Sequence, residues 1–179
     1  INNVYNGMFL SDLRHSTIKN CEVTYHEKRG IRFKRGCQCL EIIDCKTDHN
    51  MGDYSFPQSW PMGFEISEGR IDENPLDQTN ITFIRCEARH CQETRDDNRN
   101  DPPETWTKYW NGDGFVVNDK HQNIRFYECI AYANTDGGWD DKGRGTYYEN
   151  CISAYNSRNF RCWDSATYVN CLSVNAHYH

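Results

Sequence analysis

The chain has 179 residues, 37% of them hydrophobic and 13% aromatic, with a formal net charge of −6. That length accommodates one domain with a real core, and no apolar run approaches the roughly 18 residues of a membrane span. The acidic balance excludes a general nucleic-acid binder and leaves an anionic polymer as partner only through local basic residues or a mediating cation. Asn, Asp and Gly separate short β-rich runs, which predicts many short strands and turns rather than helices.

No signal-peptide pattern opens the sequence given, which starts at Ile1 and stops at "NAHYH"; it reads as a mature form or a piece of a longer protein. In chain order, six similar runs each end in cysteine: "STIKNC" at Cys21, "LEIIDC" at Cys45, "ITFIRC" at Cys86, "IRFYEC" at Cys129, "TYYENC" at Cys151 and "TYVNC" at Cys171. Their intervals are 24, 41, 43, 22 and 20 residues. Periods in the low twenties mark a solenoid with one coil per repeat, and the two longer intervals read as single coils carrying insertions. Alternation within the runs turns one face inward, so the cysteines form an interior ladder of mostly free thiols about 4.7–4.9 Å apart. Parallel side-chain vectors on stacked coils suit disulfides poorly. The close pair Cys37 and Cys39 lacks zinc-finger spacing. Five residues past four of the cysteines stand Asn50, Cys91, Asn134 and Asn156, an expected hydrogen-bonded stack at a left-handed bend. The sequon Asn80-Ile81-Thr82 adds a weak sign of secretion.

Beyond that bend each coil begins another strand: "GIRFKRG", "GFEIS", "DGFVV", "GWDDK" and "NFRCW", with Ile31, Phe64, Phe115, Trp139 and Phe160 expected to point inward. The insertions "MGDYSFPQSWP" (51–61) and "QETRDDNRNDPPETWTKYW" (92–110) enter just before this wall. They carry Trp60, Trp106, Tyr109 and Trp110, rings that either stack on sugars or pack the loops onto the coil. The predicted fold is all-β: a right-handed parallel β-helix of about six coils with two long loop insertions, one domain over 1–179.

Two acidic stretches, "NGDGF" (111–115) and "NTDGGWDDKG" (134–143), fall on successive coils. Asp113, Asp136 and Asp140, with Asp141 or Asn111 nearby, then converge as oxygen donors suited to Ca²⁺. The alternative is a solvated acidic turn. The histidines are scattered by this reading and form no triad.

These paired stretches resemble the calcium site of the family 9 pectate lyases, which are right-handed parallel β-helices. The resemblance covers roughly 105–175 and maps the calcium aspartates onto Asp113, Asp136 and Asp140. The second aspartate of the family's DD pair is Gly137 here, and the position of its lysine base carries Arg161. The resemblance implies an extracellular or periplasmic, calcium-dependent polysaccharide lyase acting on an acidic, uronate-containing polysaccharide by β-elimination. Arg161 is then the base, with Lys142 a second candidate and Lys120 a weaker one. Arg144 and Arg158 would hold substrate carboxylates, and Trp60, Trp106 and Trp110 would hold sugar rings. Gly137 and Arg161 equally suit a non-catalytic module that binds acidic glycan, or a structural coil segment of a surface assembly.

Overall fold

The computed structural model describes residues 1–34, 36–49, 60–67, 79–92, 111–118 and 121–176. Every strand pairing among these is parallel, between segments one coil apart. The right-handed parallel β-helix expected from the repeat is the fold.

Three walls make the coil. The first contains the later half of β3 (Glu22–Lys34), then β6 (Met62–Ile66), β9 (Asp113–Val117), β12 (Gly137–Asp141) and β15 (Arg158–Cys162). β1 (Asn2–Ser11) pairs with β3 at the outer end. The second wall stacks β2 (Arg14–Lys19), β4 (Gln38–Ile43), β7 (Thr79–Ile84), β10 (Gln122–Tyr127), β13 (Thr146–Glu149) and β16 (Ala166–Val169). The third stacks β5 (Lys46–Asp48), β8 (Glu87–Arg89), β11 (Ile130–Tyr132), β14 (Ile152–Ala154) and β17 (Leu172–Val174) beneath the start of β3, which turns the corner into the first wall.

Register confirms that the long intervals are single coils: Ile42 pairs with Phe83 and Phe83 with Phe126. In-register stacking turns identical positions into ladders. On the inner side of the first wall Phe64, Phe115, Trp139 and Phe160 stack at centroid spacings of 4.9, 4.8 and 4.9 Å. Across the core, Phe83, Phe126, Tyr148 and Tyr168 stack at 4.9, 5.1 and 4.7 Å. The two columns meet edge to face, as in Phe115–Phe126 at 5.4 Å. This arrangement adds about 0.5–1.5 kcal/mol per pair beyond area burial. The third wall meets them with small residues such as Thr47, Ala88, Ala131 and Ser153, all fully buried.

All ten cysteines are unbridged. The repeat thiols donate to carbonyls of the preceding coil, Cys45 to Ile18, Cys86 to Ile42 and Cys151 to Phe126, at 3.3–3.6 Å. The residues ahead of the repeat cysteines (Asn20, Asp44, Arg85, Glu128, Asn150, Asn170) have φ near +50 to +56°. Those four places after them, Tyr25, His49, His90, Ala133, Tyr155 and Asn175, are left-handed too, with φ from 44 to 57°. The left-handed corner therefore lies one residue before the expected asparagine. Asn134 and Asn156 build the stack instead: Asn134 Nδ2 donates to Asn156 Oδ1 at 2.9 Å, and the Cys91 amide to Asn134 Oδ1 at 3.0 Å. Asn50 lies outside the described residues.

Candidate functional site

The outer side of the first wall carries the acidic motifs. Val116, Asp140 and Arg161 are register partners on β9, β12 and β15, so their side chains project outward in one row. Asp113 opens β9, and Asp136 occupies the turn ahead of β12. The expected convergence of Asp113, Asp136 and Asp140 is present.

A guanidinium holds its centre. Arg161 lies 2.9 Å from Asp136 Oδ2 through Nη1, 2.9 Å from Asp140 Oδ1 through Nε, and 3.5 Å from Asp113 Oδ1 through Nη2. Arg158 Nη1 donates to Asp136 Oδ1, and Lys142 Nζ stands 3.2 Å from Asp140 Oδ2. Trp163 Nε1 donates to Asp140 Oδ1 at 2.6 Å, and the Gly137 amide to Asp113 Oδ1 at 2.7 Å. Three carboxylates thus face three cations of the same chain. Ca²⁺ requires six to eight oxygens at 2.3–2.6 Å. The donor set suits such an ion, but the space between the carboxylates is the seat of Arg161, so the residues as arranged do not fit calcium.

The electrostatics agree. Burial, reinforced by repulsion from Asp136 and Asp140, pushes the Asp113 carboxyl up to about 7. For Asp140 burial acts upward, yet Arg161, Trp163 and Lys142 hold it below the ordinary carboxylate range. Burial of Arg161 acts downward, but attraction from Asp113, Asp140 and Asp136 overrides it and holds the guanidinium above its ordinary value. A base must shed its proton before it can accept one. This pairing opposes that role for Arg161.

The other nominated residues separate. Asp141 faces inward, the next position along the strand from outward Asp140, and is fully buried. It accepts from the Tyr148 hydroxyl at 2.7 Å and the Gly143 amide at 2.8 Å, so strand alternation removes it from the acidic group. Arg144 sits beyond β12, where it pairs with Asp164 at 3.6 Å rather than with the wall aspartates. Trp60 is 45% exposed beside the wall: its carbonyl accepts from Arg29, and that of Pro61 from the Asp113 amide at 3.2 Å. Trp106, Tyr109, Trp110 and Lys120 lie outside the described residues.

Two features escaped the sequence reading. Trp163, 65% exposed, carries the Arg161 guanidinium 5.8 Å from its ring centroid. At the corner between the third and first walls, His49 and His90 each place Nδ1 2.8 Å from Asp48 Oδ1. Each histidine lies four residues after a repeat cysteine, Cys45 or Cys86, so the period itself held the signal.

No curated protein and no solved structure matches the chain. The model of the right-handed β-helix region matches residues 1–161. With parallel pairing throughout the described walls, the chain belongs to the right-handed β-helix family.

Proposed function

We propose that this chain is a polysaccharide-directed β-helix that holds acidic, uronate-containing glycan along its first wall without cutting it by calcium-dependent elimination. The carrying observation is the seat of Arg161 among Asp113, Asp136 and Asp140. Arg161, with Arg158 and Lys142, balances the charge of the aspartates, so no mobile cation is needed to make this acidic wall tolerate an anionic polymer. The rim supplies recognition. The side chains of Arg158 and Lys142 are 39% and 33% exposed. A guanidinium carries five donors and an ammonium three, so each can serve an aspartate and a glycan carboxylate together. Trp163 presents an open ring beside them for a sugar face. Such polymers lie outside cells, so this reading puts the chain's work in the extracellular space or periplasm.

Tryptophan fluorescence during titration with polygalacturonate, in chelator, tests this reading. Saturable binding that weakens in Trp163→Ala and Lys142→Ala supports it. Absence of binding to every uronate polymer would sink it in favour of a structural coil segment.

The convergence of the three aspartates from two coils favours one second reading, the calcium-dependent lyase. That reading requires Arg161 to leave its seat and Lys142, on the exposed side of Asp140, to act as base. An unsaturated product that forms with calcium and not with chelator would decide for it.

A further inference from the structure

His49 and His90 are 41 residues apart in sequence but occupy the same corner of adjacent coils, with ring centroids 4.6 Å apart and planes inclined by 33°. Both corners are left-handed, with φ of 51° and 50°, which throws the rings outward above the end of β5. There Asp48 offers Oδ1 to both Nδ1 atoms at 2.8 Å.

We propose that Asp48, His49 and His90 bind a divalent first-row transition metal ion such as Zn²⁺. Two imidazole nitrogens and one carboxylate oxygen form a donor set suited to zinc and its neighbours rather than to calcium, which takes oxygens. The three ligand atoms all lie within 4.8 Å of one another. Zinc bonds of about 2.0–2.2 Å put tetrahedral ligand atoms about 3.3–3.6 Å apart. Each histidine therefore needs to withdraw from Asp48 by about 0.5–0.8 Å. In the metal-free state both Nδ1 atoms converge on one acceptor oxygen, and an ion replaces that crowding with a bond to each ligand.

Access and support match this role. The Asp48 side chain is 9% exposed, so it is fixed, while those of His49 and His90 are 53% and 31% exposed. Among the described residues the solvent side is open to water or a further ligand. Lys46 Nζ holds the second carboxylate oxygen at 2.9 Å, which orients Asp48 and leaves Oδ1 for the ion. Its positive charge also weakens cation binding. Tyr25 stacks on His49 at 5.5 Å and Tyr132 meets His90 edge to face at 5.9 Å, closing the corner above and below.

The test is calorimetric titration of the whole chain with Zn²⁺, repeated by absorbance with Co²⁺. One ion per chain is expected, with affinity lowered about tenfold or more in His49→Ala and in His90→Ala. His49→Ala is a safe probe of folding, because Ala133 already occupies the equivalent left-handed corner at φ 53°. Lys46→Gln should tighten binding severalfold, an effect that loss of folding cannot mimic. Exposed His15→Ala should change nothing. Absence of stoichiometric binding overturns the site. So does binding that survives the double histidine variant, or a cobalt spectrum with thiolate charge transfer, which puts the ion on the cysteines.

Discussion

Gly137 lies directly against Asp113. Its amide donates to Asp113 Oδ1 at 2.7 Å, and a Cβ at Gly137 would stand 2.5 Å from that same oxygen. Any side chain at position 137 would therefore displace the Asp113 carboxylate. Gly137→Ala forces the buried carboxylate out of place, an overpacking cost of about 1–3 kcal/mol. Chemical denaturation should show that loss, and an unchanged midpoint would contradict the contact.

Arg161→Ala removes the cation common to three buried carboxylates. Breaking a buried ion cluster by deleting one partner costs about 3–5 kcal/mol. The same change opens the seat, so added calcium should raise the melting temperature of Arg161→Ala and leave the parent unmoved. A calcium shift in the parent as large as in the variant would show that Arg161 does not keep the ion out.

Asp113 and His26 oppose each other with pH. An acid whose folded pKa of about 7 exceeds its unfolded value of 3.8 binds its proton more tightly when folded. Asp113 therefore adds stability as pH falls from about 7 toward 4. Burial chiefly depresses His26, from 6.5 to about 4, against the hydrogen bond to the Met62 carbonyl. Its contribution is present above 6.5 and is lost as pH falls toward 4. The parent's melting temperature should be nearly flat over that shared window and decline on approach to pH 7. Asp113→Asn should instead rise from about pH 4 to 6.5 and lose the decline. Parallel curves would contradict the assignment to Asp113.

Phe115 is stacked between Phe64 and Trp139 and touches Phe83 and Phe126 by their edges. Phe115→Ala should cost about 3–5 kcal/mol, since neighbours locked in β-register cannot collapse into the space. The expected sign is a lower denaturant midpoint with an unchanged slope. A loss below about 1 kcal/mol would mean that the column relaxes.

The coil pattern was legible because a solenoid repeats in sequence what it repeats in space. The cysteine runs fixed the register of the second wall, and through it the meeting of Asp113 with Asp136 and Asp140. Strand alternation, which turns Asp141 away from Asp140, overrides their adjacency in sequence. The place of Arg161 was less legible: its position on the next coil followed from register, but the choice between resting beside an ion and replacing one lies in side-chain geometry. The histidine corner was missed for a different reason. The cysteine period aligns His49 with His90, but that both rings turn onto Asp48 follows from the left-handed backbone at those corners, which lies one place before the expected asparagine.

In the proposed function Arg161 takes the place of a metal ion in a wall that holds acidic glycan without cutting it. The most direct test of this is ultraviolet absorbance of unsaturated uronate during incubation with polygalacturonate, with calcium and then with chelator. The predicted result is no absorbance gain in either condition. Product that accumulates with calcium and stops with chelator would contradict it and return Asp113, Asp136 and Asp140 to calcium.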